Sequence, residues 1–231
     1  MKLPLLVRRV HNWLALVIAA PALLWMAGGM YMVAVPLDVI HGDHLARAPR
    51  VPLEPAASRV SPAELARHYP GMTGFRLKNL LGREVYEIQR GKASSLADAA
   101  TGAPIGPLDR ETIRALAARA YTGDARVREI AWIEEAPREA GGARRSRLWA
   151  VHYTGFSAAT LYYSADTGEL VARRHALWRW FDLAWMLHIF DFEAREDVNN
   201  PLLRTASALG LAAALSGVWL FLYSFKPRKR R

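Results

Sequence analysis

The chain contains no cysteine. This excludes disulfides, thiolate metal sites, iron–sulfur clusters and cysteine nucleophiles, and it leaves the cellular compartment open. Acids are also missing from two stretches, since no Asp or Glu precedes residue 37 or follows residue 200. Catalytic signatures are scarce as well. "GFSAA" at Gly155–Ala159 lacks the second glycine of a nucleophile elbow, and neither a zinc-protease HExxH nor a phosphate-binding glycine loop occurs.

What is present is unevenly placed. The formal net charge is +10, which raises the question of nucleic-acid binding. Lys2, Arg8 and Arg9 lie before residue 37, and Arg204, Lys226, Arg228, Lys229, Arg230 and Arg231 lie after residue 200. The remaining 22 basic residues share the middle with all 21 acids, so the middle is nearly neutral. Cationic flanks on membrane spans explain this pattern, and a nucleic-acid partner does not.

Trp13–Val35 is a run of 23 uncharged residues, about 34 Å long as a helix and enough to cross a bilayer core. Thr205–Phe225 is also uncharged and leads straight into "KPRKRR". The first run exceeds the ~7–15-residue core of a signal peptide, and no small-x-small cleavage site follows, so an uncleaved anchor is expected. Both basic flanks then face the cytoplasm and the middle lies outside it. Small residues on both spans, Ala27-Gly28-Gly29 and Ala206, Gly210, Ala213 and Gly217, suit close helix packing, although such residues are common in membrane helices.

The middle reads as one pattern written twice. A helix opened by Ser61-Pro62, with Glu64 at capping-box spacing, precedes strand-like "MTGFRLKNL" and "REVYEIQR" and then "SLADAATGAPIG". A second helix, "DRETIRALAARAY", precedes "VREIAWIE", "RLWAVHYT", "AATLYYSA" and "DTGELVARR". Each copy ends in a small-residue turn, Ala100-Thr101-Gly102 or Asp166-Thr167-Gly168. The fold class expected is α+β, with two transmembrane helices flanking two helix-plus-antiparallel-strand repeats. The boundaries are 1–36 for the flank and first span, 37–108 for a linker and the first repeat, 109–174 for the second repeat, 175–200 for an interfacial aromatic helix and 201–231 for the second span and basic tail. Glu134–Arg147 reads as a mobile charged loop. Tyr153, Tyr162 and Tyr163 read as packing residues, His152 as solvent-facing and His68 as a helix C-terminal residue.

The helix-then-strands units ending in "AATGAPIG" and "ADTGEL" resemble the PepSY domain, and the flanking segments resemble the PepSY-associated transmembrane family. The N-terminal likeness is "RRVHNWLALVI", with Arg9, His11 and Trp13. The C-terminal likeness is "RWFDLAWMLHIFDF" followed by Asn199, Asn200, Ser216 and Gly217. The resemblance implies a bacterial inner-membrane protein with a periplasmic middle. Larger members of the family resemble haem-bearing ferric or siderophore reductases and have more spans than the two here, so reductase activity does not carry over directly.

Within "LAWMLHIFDF", Trp178, Phe181, Trp185, His188 and Phe192 recur at spacings of three and four, which places His188 inside an aromatic stripe on one helical face. Asp191, three residues on, is placed to orient the imidazole. Three roles compete for His188: a hydrogen-bonded packing residue, which a lone histidine on an apolar face usually is; a haem or metal ligand, with His41 and His44 of "HGDH" as further candidates; or a proton relay. His11 is also a candidate ligand, but it cannot share one iron with His188, because about 30 Å of membrane separates them. The carboxylates are scattered among arginines as on a solvated surface, so no catalytic residue is named.

These features favour a two-pass membrane protein whose periplasmic middle is a non-catalytic binding or regulatory module. The lipid bilayer and a membrane or periplasmic protein, or a second copy of the chain, are its expected partners. A haem b-bearing electron-transfer component of iron or siderophore reduction is the main alternative, and a periplasmic peptidase inhibitor the next.

Overall fold

The computed structural model describes residues 3–47, 51–53 and 58–225, so Lys2 and the basic tail 226–231 lie outside the described residues. The chain divides into two compact units, Met1–Leu37 with Arg179–Arg231, and Asp38–Trp178.

In the first unit, α1 (Leu3–Ala34) and α6 (Pro201–Ser224) are long and apolar enough to cross a membrane. Each starts before the uncharged run it contains. α6 is started by Asn200, whose side chain accepts from Leu203 N at 2.8 Å, with proline at the first helical position, where its missing N–H costs nothing. The two helices run antiparallel, because Gly217 of α6 lies beside His11 and Gly210 lies beside Ile18 and Trp25. A methyl at Gly217 would sit 3.1 Å from His11 Cε1, so the glycine permits the close approach. Ile18, Ala206 and Ala213 are buried in this seam. Gly28 instead meets Ala184 of α5 (Ala176–Ile189). Away from the seam, Leu16, Met30 and Val33 of α1 and Leu211, Leu215 and Phe221 of α6 are exposed. Bare apolar surface on that scale suits lipid and not water.

The aromatic stripe is shorter than its spacing suggests. α5 ends at Ile189, and Phe190 takes φ +52°, so Phe192 leaves the helix and is exposed. The segment 175–200, expected as one interfacial helix, is therefore a helix followed by a capped loop.

In the second unit, the short helix α2 (Leu37–His41) precedes two repeats of one helix and four antiparallel strands. The first comprises α3 (Pro62–His68), β1 (Gly74–Leu80), β2 (Arg83–Arg90), β3 (Ala93–Asp98) and β4 (Pro104–Ile105). The second comprises α4 (Arg110–Ala120), β5 (Val127–Glu135), β6 (Ser146–Tyr153), β7 (Thr160–Ser164) and β8 (Leu170–Arg174). The sheet orders are β1-β2-β3-β4 and β5-β6-β7-β8. Ser61 and Glu64 form the expected capping box, and Asp109 caps α4 through Thr112 N at 2.8 Å. Both turn glycines adopt left-handed backbone, Gly102 at φ +71° and Gly168 at φ +70°.

The layers follow from strand parity. Tyr86, Ile88 and Ala97 face Leu65 of α3. The opposite face of that sheet supplies Val85 and Leu96 to a shared core containing Ile113 and Ala117 of α4 and Ile130, Val151, Leu161 and Tyr163 of the second sheet. α4 thus packs in the core that the two sheets share. The outer face of the second sheet, with Leu148, Ala150 and Tyr162, is covered by Ala136 and Ala140. Those two alanines belong to the stretch expected to be a mobile charged loop. Instead it forms two single 3-10 turns, Arg138–Ala140 and Gly142–Arg144, and Tyr162 donates to Glu139 at 2.5 Å.

Candidate functional site

A cavity of about 700 Å³ opens between the repeats, a volume suited to a small ligand. Its walls come from β1 (Arg76, Lys78, Leu80), α4 (Leu116, Arg119), the β7–β8 turn (Thr167, Gly168, Glu169) and the strand residues Tyr163, Leu170 and Arg173. Residues 76, 78 and 80 share one face of β1, and register places Arg76 opposite Glu87 and Lys78 opposite Val85.

Glu87 is only 4% exposed, so its charge must be paired. Arg76 donates to it at 2.9 Å and Lys78 at 2.5 Å. Burial pushes this carboxyl up, but the hydrogen bonds from Lys78 and Arg76 outweigh it and hold the group below the usual carboxylate value. Arg76 also pairs with Glu169 across the repeats, and Lys78 donates to Thr167 O at 2.8 Å. Arg173 donates to Ala46 O at 2.8 Å and meets Asp43 at 3.3 Å. Arg119 is exposed and makes no ion pair among the described residues.

Tyr163 is 2% exposed and its hydroxyl has no hydrogen-bond partner among the described residues. Burial pushes its phenol up and Tyr153 adds to that, while the Arg173 charge acts in the opposite direction. The phenol and the guanidinium therefore lie within each other's field.

The residues singled out from the sequence are placed otherwise. His188 lies in the helical unit with its ring 6.3 Å from Trp25 and 6.5 Å from Trp185. Trp25 donates to the His188 carbonyl at 2.8 Å, while the imidazole Nδ1 is buried without a partner. Asp191 does not orient it. Its two carboxylate oxygens accept from four backbone N–H groups, those of Glu193, Ala194, Glu196 and Asp197. The three-residue spacing implies contact only on a continuous helix, and the helix stops between the two residues.

His11 Nδ1 sits 2.9 Å from Ser216 Oγ and 3.1 Å from Ala213 O. His11 and Trp25, the neighbour of His188, are about 21 Å apart along α1 at 1.5 Å per residue, so the two histidines cannot share one iron. In the other unit, His41 is exposed, and His44 packs edge-on against buried His175 at 5.6 Å. His175 Nε2 donates toward Val39 O (2.9 Å) and Ile40 O (3.2 Å). Among the described residues, no group of three or more His, Asp or Glu is placed to hold a metal ion. His152 is half-buried, with Nδ1 3.1 Å from Thr160 Oγ1, and does not stand free in solvent.

Sequence reasoning passed over Arg76, Lys78, Glu87, Arg119, Tyr163 and Arg173. For Arg76 and Glu87 a signal existed. Folding "RLKNLLGREVYE" about the two-residue turn Leu81-Gly82 sets them opposite each other across a hairpin. The chain matches no protein-family profile, no curated protein and no solved structure.

Proposed function

We propose that this chain is a two-pass bacterial inner-membrane protein of PepSY-like design, and that its middle unit is a periplasmic, non-catalytic binding or regulatory module whose ligand site is the cavity between the repeats. The cavity carries this reading. Arg76, Lys78, Glu87 and Glu169 are engaged with one another in ion pairs, as in a rigid binding wall and not in a general acid and base held ready for proton transfer. The acid-free ends support the orientation. The haem-bearing alternative has weaker support, because His11 is turned toward Ser216 and His188 has no second imidazole beside it in its unit.

One experiment tests both site and placement. Spheroplasts expressing the full chain are irradiated with a membrane-impermeant, uncharged diazirine fragment, and the protein is then digested and its peptides mapped. Label is expected on peptides containing residues 76–81 or 116–120. Label appearing only after lysis reverses the orientation, and label confined to other peptides removes the cavity as the site.

A further inference from the structure

We infer that the cavity selects a small amphipathic organic anion, its apolar body lying against Leu80, Leu116 and Leu170, its charge met by Arg119 and Arg173, and one of its oxygens accepting from the Tyr163 hydroxyl. This rests on the reading of the cavity as the ligand site.

The charge inventory of the walls points to the sign. Among the described residues, four cations line the cavity, Arg76, Lys78, Arg119 and Arg173, against one acid, Glu169. Glu87, behind the β1 wall, and Glu169 occupy Arg76 and Lys78. Arg173 has a single long contact to Asp43 at 3.3 Å and keeps donor capacity in its fork. Arg119 has no acid at all among the described residues. A cation entering here would meet uncompensated positive charge, whereas a carboxylate would gain charge-assisted hydrogen bonds.

Tyr163 adds an independent observation. A buried hydroxyl without a partner is uncommon in folded proteins and asks for an explanation. Here it belongs to a residue that borders the cavity and lies within the field of one of its arginines. An acceptor oxygen brought by the ligand would remove the penalty. The leucines bury the remainder of the molecule and favour a body of several carbons over an inorganic ion.

The test uses the detergent-solubilised full chain with 4-phenylbutyrate and its uncharged analogue 4-phenylbutyramide, read by isothermal titration calorimetry at low salt. The acid should bind at least about ten-fold tighter than the amide, the range of one charge-assisted contact. Arg119→Gln, at an exposed position, should remove most of that preference. Tyr163→Phe should weaken acid and amide alike, since both carry an acceptor oxygen. Equal affinity for acid and amide, or an unchanged preference in Arg119→Gln, would overturn the anion assignment. Cavity labelling by the uncharged diazirine fragment without phenylbutyrate binding would also overturn it and leave the binding-module reading standing, whereas absence of both defeats the two together.

Discussion

In the first repeat, the strand face turned toward α4 carries Arg76, Lys78, Glu87 and Asp98 beside Leu80, Val85 and Leu96. The face of the second repeat that meets the same core carries Ile130, Val151, Leu161, Tyr153 and Tyr163, with Arg173 opposite Leu161 as its cation. Strand order and turn glycines are the same in both, and each helix has a side-chain N-cap, so none of them requires a particular chemistry on the face. Both faces border the cavity, the second through Tyr163, Leu170 and Arg173, and the first brings more charge to it. Where the first sheet borders the cavity, Arg76 and Lys78 stand beside Leu80 and are paired by Glu87 behind them, and where it meets the shared core it carries Val85 and Leu96. Ion pairing satisfies buried charge but contributes little net stability after desolvation, so the polar face is accounted for by what it adjoins and not by what it adds to folding.

The turns offer the widest separation between the repeats. Gly102 and Gly168 share the same left-handed φ, so replacement by alanine costs each about 1 kcal/mol in backbone strain. At Gly168 the new methyl would also lie 2.8 Å from Leu108 Cδ1, 3.1 Å from Leu116 Cδ1 and 3.2 Å from Leu80 Cδ1. Repacking those leucines adds about 1–3 kcal/mol. At Gly102 the close atom is Nδ1 of exposed His68, 2.9 Å away, which can swing into solvent. Chemical unfolding of the full chain in detergent should show Gly168→Ala losing about 2–4 kcal/mol and Gly102→Ala about 1 kcal/mol. Equal losses would mean that the two turns are packed alike.

Acid should separate the repeats next. The Glu87 pKa is lowered in the fold, and that of Asp98 is lowered too, since hydrogen bonds from Arg83 and Thr101 outweigh its burial. A depressed carboxylate pKa contributes stability that is present above the unfolded value of about 4 and is lost as pH falls from there through the folded value. Glu87→Gln should therefore cost about 1–2 kcal/mol at pH 7, discounted because Arg76 is more than half exposed, and should flatten the decline in stability below about pH 4. A variant whose stability falls with acid as steeply as the parent's would show that Glu87 is not the group being titrated.

Much of the fold was legible in the sequence because its signals are local. Uncharged run length marks α1 and α6, the Ser61–Glu64 spacing marks α3, and the two glycine turns mark where each meander closes. The cavity was not legible. Its walls combine β1, α4 and the β7–β8 turn, elements up to about 90 residues apart, and Arg119 or Tyr163 alone resembles any surface arginine or core tyrosine. His188 misled for the opposite reason. A local rule placed Asp191 beside it, and the left-handed Phe190 between them cancels that rule. Glu134–Arg147 looked mobile by composition, yet it covers apolar strand surface that nothing in its own charges announces.

The smallest expected effect is also a change of sign between the repeats. In the first, the tyrosine hydroxyls are bonded: Tyr69 donates to Gly102 O and Tyr86 to Val60 O, both at 2.9 Å. In the second, Tyr162 donates to Glu139 at 2.5 Å, whereas the hydroxyls of Tyr153 and Tyr163 are buried without partners among the described residues. Tyrosine to phenylalanine removes one oxygen and leaves the ring packing intact, so each variant reads the hydroxyl alone. Tyr69→Phe and Tyr86→Phe should each lose about 0.5–1.5 kcal/mol, the net value of a hydrogen bond, and each leaves a carbonyl unsatisfied. Tyr153→Phe and Tyr163→Phe remove a buried group that the fold does not satisfy and should be neutral or stabilising by up to about 1 kcal/mol. Denaturant midpoints of the four variants, measured without ligand, decide it. A loss of 1 kcal/mol or more in Tyr163→Phe would mean that a bound water or a protein group already takes that hydroxyl, which would remove the contrast between the repeats and one of the two supports for an acceptor oxygen in the cavity.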